Sequence, residues 1–166
     1  MNAPQIAAWL MHSTLILDGT PAHNPIPRPS KSADVIATAA AETSAPLLFA
    51  AWLDVLAAHE SGYRTTAAGD CPGLRAGSLL CTRERGAHAC GAWQGLCAAL
   101  PAKATPLDQA RLAVRDLTRA LDGCPDHPLW QYARGRCERS RVAELYEADV
   151  AAKFADGAPV ELAETD

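Results

Sequence analysis

The chain has few aromatic residues and few residues that favour β-strands. Aromatic side chains make up only 5% of its 166 residues, whereas alanine is abundant among the 49% that are hydrophobic. Alanine favours helices, and strands are enriched in β-branched and aromatic residues. A chain of this length can build one hydrophobic core. We therefore expect one compact, mainly α-helical domain.

Excess positive charge and long apolar runs are also missing. The formal net charge is −4, so the overall charge does not predict binding to nucleic acid or to an anionic membrane. The apolar run "IAAWLMHSTLIL" at residues 6–17 is too short to span a bilayer. We expect no nucleic-acid partner, no membrane span and a monomeric protein.

The cysteines lack the CxxC spacing of many zinc sites. All six cysteines of the chain lie after residue 70, at Cys71, Cys81, Cys90, Cys97, Cys124 and Cys137. An even number clustered in this way predicts three disulfides, although the sequence leaves their pairing open. Neighbouring pairs such as Cys71–Cys81 and Cys124–Cys137 would each add about 2–4 kcal/mol of stability. We expect neither a metal site nor a cofactor.

The cysteines and the start of the chain point to different compartments. Disulfides predict an oxidising environment outside the cytoplasm. The apolar run at residues 6–17 nevertheless lacks the basic start and the cleavage site of a clear signal peptide. We expect an extracytoplasmic protein, whether periplasmic, secreted or delivered by a phage or a secretion system, and the export route stays open.

Proline-rich and charged segments divide the chain into three parts. Residues 1–31 are predicted to be an N-terminal extension, with a helix over 3–17 followed by a proline-rich arm. Residues 32–155 are predicted to form the main domain, and residues 156–166 an acidic tail.

Capping residues and apolar spacing predict the helices of the main domain. Ser32 and Ser44 can N-cap two helices, and Gly62 can end the second of them. Residues 105–123 form a clear amphipathic pattern with a proline in the first turn. Residues 65–90, rich in glycine and cysteine, are predicted to be an irregular cross-linked excursion. Further helices are predicted from Ala92, over 126–134 and over 138–154.

One carboxyl lies at the end of the predicted helix that stops at Gly62. In "VLAAHESGYR", residues 55–64, Glu60 follows an apolar run. The helix dipole and apolar surroundings both favour the protonated form of a carboxyl at this end. A general acid needs such a proton near neutral pH, whereas an ordinary glutamate at a helix end is solvated. His59 points about 100° away around the helix, so we expect it at the rim or the surface.

Three short motifs follow one another along the chain. The first is ESGY at residues 60–63, the second is GAWQ at 91–94 and the third is QYARG at 131–135. The amphipathic helix over 105–123 lies between the second and the third. In this order the motifs resemble those of the lytic transglycosylases, the lysozyme-like enzymes that cut bacterial peptidoglycan. The resemblance covers about residues 33–147.

This resemblance implies a lysozyme-like helical domain with a disulfide-rich excursion. It would cleave the β-1,4 bond between N-acetylmuramic acid and N-acetylglucosamine, with Glu60 as the single general acid and base. Trp93 replaces a methionine of the family, and its indole could stack on a sugar ring. Tyr132 would hydrogen-bond near Glu60 and fix its direction, while Ala133 stands where the family has asparagine. The positions implied to bind substrate are Ser61, Tyr63, Trp93, Gln94 and Tyr132.

Two other functions stay open from the sequence. A lysozyme-type hydrolase of the same bond would use a second carboxylate to position water, and Asp70 and Glu84 are the candidates. A non-catalytic module that binds peptidoglycan or serves in assembly could keep the same fold. Peptidoglycan glycan strands are the expected partner in each case.

Overall fold

A computed structural model describes residues 1–13, 28–69, 71, 82 and 87–156 of the chain. Most of these residues are helical, which confirms the mainly α-helical prediction. In chain order the elements are α1 (Ala3–His12), α2 (Ser30–Ala41), α3 (Pro46–Ser61), β1 (Ala68–Gly69), β2 (Ala89–Cys90), β3 (Gly95–Leu96), a 3₁₀ helix (Cys97–Ala99), α4 (Pro106–Gly123), α5 (Pro128–Arg134) and α6 (Arg141–Asp156).

Helix α3 is the centre of the fold. Every residue from 49 to 58 is buried, on all sides of the helix. A helix that is apolar all round is stable only when other elements cover it. Helices α1, α2, α4 and α6 contact it here. Because the core fixes α3, it also fixes the position of Glu60 near the C-terminal end of this helix.

Helix α1 packs into the same core. It ends at His12, so it is shorter than the predicted helix over residues 3–17, of which 14–17 lie outside the described residues. The side chains of Ile6, Trp9 and Leu10 are buried in the cluster that also contains the apolar residues of α3. This helix therefore contributes to the main core.

Two predicted N-caps are wrong. Helix α2 begins before Ser32, with Pro29 at the N-cap position. Helix α3 has Ala45 rather than Ser44 at that position, and Pro46 occupies its first turn. Neither helix has a side-chain cap, and a proline near each start sets the backbone direction instead. Helices α4, α5 and α6 follow their predicted positions with small shifts at the ends.

A small antiparallel sheet lies beside the helices, in the order β1-β2-β3. The helix predicted from Ala92 does not form. Gly91 and Gln94 adopt positive φ angles of 83° and 49°, and the chain turns back between β2 and β3. Part of the predicted excursion over 65–90 is therefore regular strand, although residues 70, 72–81 and 83–86 lie outside the described residues.

Disulfides link the ends of these elements. Cys124–Cys137 joins the end of α4 to the segment after α5, as predicted, and Cys90–Cys97 joins β2 to the 3₁₀ helix. Cys71 also takes part in a disulfide. Its predicted partner Cys81 lies outside the described residues, as does the acidic tail from residue 157 onward.

A cluster of charges is buried in the apolar core. Asp54, in the middle of α3, is completely buried and pairs with Arg28 and with Lys153 of α6, whose Nζ lies 2.5 Å from Oδ2. The hydroxyl of Tyr63 donates to Oδ1 over 2.9 Å. Arg28 also donates to the carbonyl of Leu10 in α1. The cluster thus ties α1 and α6 to the central helix.

A candidate active site at the end of helix α3

A cleft of about 400 Å³ opens where α3, the sheet and α5 meet. Four of the residues singled out in the sequence border it, although they come from three motifs that are far apart in the chain. The described residues that line it are Glu60, Arg64, Ala67, Ala68, Gly69, Ala89, Trp93, Gln94, Tyr132 and Ala133.

The carboxyl of Glu60 is held by a tyrosine of α6. Glu60 is partly buried, and the hydroxyl of Tyr146 donates to its Oε1 over 2.9 Å. Burial, and then the negative charge of Glu60, raise the pKa of Tyr146. This tyrosine therefore stays protonated near neutral pH and remains a donor to the carboxyl. The sequence motifs did not point to Tyr146; the only signal is its spacing with Ala143 and Val150 on the buried side of α6.

Tyr132 has a different partner from the one predicted. It borders the cleft, but its hydroxyl donates to the main-chain carbonyl of Trp93 over 2.9 Å. Burial, and then the charge of Glu60, raise the pKa of this tyrosine. The hydroxyl of Tyr146 donates to Glu60, so Tyr146 directs the carboxyl, whereas Tyr132 fixes the GAWQ turn.

Trp93 forms a wall of the cleft rather than an open platform. Its side chain is only 4% exposed, and the indole N–H donates to the carbonyl of Leu53 over 2.7 Å. The ring therefore fills the space between α3 and the GAWQ turn. Stacking on a sugar needs a larger free face than this buried indole offers.

The side-chain amide of Gln94 lies close to two glycines, Gly91 and Gly69. Its Nε2 donates to the carbonyl of Gly91 over 2.8 Å. A Cβ atom built on Gly69 would lie 2.4 Å from Oε1 of Gln94. A larger residue at position 69 would therefore have to displace this amide, which lies close to strand β1 and borders the cleft.

Ser61 and Tyr63 are buried and are not among the described residues that line the cleft. The hydroxyl of Ser61 donates to the carbonyl of Ala92 over 2.8 Å. This bond joins the end of α3 to the GAWQ turn, so Ser61 keeps the two walls of the cleft together. Tyr63 belongs to the buried cluster around Asp54.

His59 contacts two residues of α6, Asp149 and Tyr146, whereas we expected it at the rim or the surface. Its Nε2 lies 2.6 Å from Oδ2 of Asp149 in α6, and its side chain is 20% exposed. The imidazole ring also packs against the ring of Tyr146, with centroids 4.7 Å apart. His59, which Asp149 binds, therefore packs against the tyrosine that contacts Glu60.

The described lining of the cleft contains one acidic residue, Glu60. The two candidates for a second carboxylate, Asp70 and Glu84, lie outside the described residues. Within the described ranges, no group of three or more His, Cys, Asp or Glu side chains could hold a metal ion. None of the helices in the described part of the chain has the length and apolarity needed to cross a membrane.

The arrangement can supply one proton and receive one at a single carboxyl. Tyr146 orients this carboxyl, and Trp93 and Gln94 of the GAWQ turn also line the cleft. Comparison of the chain with protein-family models, with curated proteins and with solved structures found no match.

Proposed function

We propose that this protein is a lytic transglycosylase with a lysozyme-like fold, which cleaves the β-1,4 bond between N-acetylmuramic acid and N-acetylglucosamine in peptidoglycan strands. The observation that supports this most is the position of Glu60. It lines a cleft together with Trp93, Gln94 and Tyr132, which belong to the second and third motifs of the resemblance. Tyr146 binds its carboxyl.

The reaction needs a single group that first donates and then accepts a proton. Glu60 protonates the glycosidic oxygen as the bond to C1 of the muramic unit breaks and positive charge develops on that sugar. The ionised Glu60 then takes the proton from the 6-hydroxyl of the same sugar, whose oxygen attacks C1. The products are a 1,6-anhydro end and a free hydroxyl on the departing sugar. General acid and base assistance of this kind contributes about 10²–10⁴-fold to the rate.

One carboxyl, the number found among the described residues that line the cleft, is enough for this reaction. Glycosidases that hydrolyse the bond use two carboxyl groups, about 5–9.5 Å apart according to the stereochemical outcome. Among the described residues of the cleft, Glu60 is the one such group. The intramolecular hydroxyl replaces the positioned water, so no second carboxylate is required.

The decisive experiment compares the protein with Glu60→Gln on purified peptidoglycan. Glutamine keeps the shape and can still accept the hydrogen bond from Tyr146, but it cannot donate the proton. Glu42→Gln is the matched control, because Glu42 lies at the exposed end of α2, where it pairs with Arg111. We expect soluble fragments with anhydro ends from the protein and from the control, and at least a 100-fold slower release by Glu60→Gln.

Mass spectrometry of the released fragments separates the alternatives. Reducing ends would replace the transglycosylase by a lysozyme-type hydrolase. Binding of the protein to peptidoglycan without any released fragment would indicate a non-catalytic module for wall binding or assembly. Undiminished release by Glu60→Gln would contradict the role of Glu60 in either enzyme. An extracytoplasmic location, which the disulfides favour, belongs to the same proposal.

A further inference from the structure

Arg64 is the one positively charged residue among the described residues that line the cleft. It follows Glu60 by one helical turn in the sequence, just beyond the end of α3. The sequence motifs gave it no role. Its side chain is exposed, so a molecule that enters the cleft beside Glu60 can reach the guanidinium group.

The guanidinium group is held in place on one side only. Its Nε donates to the carbonyl of Ser61 over 2.8 Å, and the Arg64 main-chain N–H donates to the hydroxyl of the same serine over 3.1 Å. Ser61 is itself fixed to the GAWQ turn. These bonds orient the guanidinium group. Its two terminal nitrogens form no hydrogen bond with the residues that the structure describes.

Five of the other arginines in the described ranges are paired with carboxylates, namely Arg28, Arg111, Arg119, Arg136 and Arg139. Arg111 binds Glu42, and Arg139 binds Glu144 over 2.5 Å. Arg64 forms no ion pair with any residue that the structure describes. An anchored, accessible and unpaired guanidinium beside a catalytic carboxyl suits an anionic group of the ligand, because its planar donors match the two oxygens of a carboxylate.

We propose that Arg64 binds a carboxylate of the glycan substrate and thereby selects muramic-acid strands over uncharged ones. This inference rests on the proposed function. N-acetylglucosamine has no ionisable group, whereas N-acetylmuramic acid carries a lactyl carboxyl. That carboxyl is free in peptide-free strands, and in peptide-bearing strands the carboxylates of the stem peptide take its place as the nearby anions. A charge-assisted pair of this kind corresponds to about 10- to 100-fold in affinity.

Binding to the inactive Glu60→Gln protein tests the proposal without cleavage. Calorimetric titration would use three tetrasaccharides: the peptide-free chain GlcNAc-MurNAc-GlcNAc-MurNAc, the same chain with stem peptides, and neutral chitotetraose. We expect at least one carboxylate-bearing glycan to bind about 10- to 100-fold more tightly than chitotetraose. Tighter binding of the peptide-free glycan than of chitotetraose identifies the lactyl carboxylate as the partner of Arg64. Tighter binding of the peptide-bearing glycan alone identifies a carboxylate of the stem peptide.

Adding Arg64→Gln to the Glu60→Gln protein should abolish this preference and leave the affinity for chitotetraose unchanged. Arg64→Lys keeps the charge but not the paired donors, so we expect an intermediate preference for the carboxylate-bearing glycan. This variant is also informative if Arg64→Gln does not fold. Arg119→Gln, on the exposed side of α4, is the matched control and should change nothing.

The outcomes separate the two proposals. If the glycans bind and the preference survives in both Arg64 variants, the role of Arg64 is refuted while the proposed function stands. If the Glu60→Gln protein binds none of the three glycans, the proposed function fails and the role of Arg64 fails with it.

Discussion

The charge cluster around Asp54 gives the most quantitative prediction for this fold. Asp54→Asn keeps the size of the side chain and one oxygen that can accept from Tyr63, but it removes the negative charge that Arg28 and Lys153 share. Both cations are buried, with side chains 7% and 1% exposed, so water cannot replace the lost partner. Burial already lowers the pKa of Lys153, against the attraction of Asp54.

The expected loss is about 3–5 kcal/mol, which is the usual effect of removing one partner of a buried ion pair. Domains of this size have a free energy of unfolding of about 5–15 kcal/mol, so the variant should lose a large share of its stability. With a denaturant dependence of about 1–3 kcal/mol per M of urea, the unfolding midpoint should fall on the order of 2 M.

Urea unfolding followed by far-ultraviolet circular dichroism measures this change. Asp34→Asn is the matched control, because Asp34 is exposed on α2, and its effect should stay within about 0.5 kcal/mol. Adding Lys153→Met to Asp54→Asn removes one unpaired cation and should recover at least about 1 kcal/mol. The reasoning is refuted if Asp54→Asn costs less than about 1 kcal/mol, or if the second substitution recovers nothing.

Two further predictions concern the tyrosines. Tyr146→Phe removes the donor to Glu60, so we expect kcat on peptidoglycan to fall about tenfold with little change in KM, because the lost bond orients the carboxyl rather than the substrate; a KM effect alone would contradict this role. Burial raises the pKa of all three tyrosines, Tyr63, Tyr132 and Tyr146, above 10.0, so their contribution to stability is complete below pH 10 and is lost as the pH rises further. The loss should reach about 4 kcal/mol per pH unit when all three titrate in the unfolded chain. The lowered pKa of Lys153 makes the free energy of unfolding rise with pH up to about 10.5, which opposes the effect of the tyrosines. The free energy of unfolding therefore falls steeply only above that pH. Tyrosinate absorbance should therefore appear only together with unfolding, and its appearance in the folded protein would contradict the burial of these rings.

Local patterns predicted the helices better than the contacts between them. The amphipathic spacing and the first-turn proline of α4 lie within one segment of the sequence, and the structure has both. Pro46 and Gly62 likewise mark the ends of α3. The turn after Gly91 was missed because a short alanine-containing stretch has helical propensity, whereas its positive φ angles depend on tertiary contacts.

The candidate site was predictable only as far as its motifs. The convergence of Glu60, Gln94 and Tyr132 on one cleft agrees with the order of the motifs. The role of Tyr146 could not be read from the sequence, because it depends on how α6 crosses α3. Asp54 gave no signal either, since its partners Arg28 and Lys153 are remote in the chain.

The GAWQ turn is held mainly through its main chain. Ser61 of α3 binds the Ala92 carbonyl, Gln109 of α4 accepts from the Ala92 N–H over 3.0 Å, and Tyr132 of α5 binds the Trp93 carbonyl. Bonds to peptide groups do not depend on the side chain that each turn residue carries. Such a wall can keep its shape while the side chains displayed on it are exchanged, so its ligand preference can diverge, in evolution or by engineering, without rebuilding the scaffold.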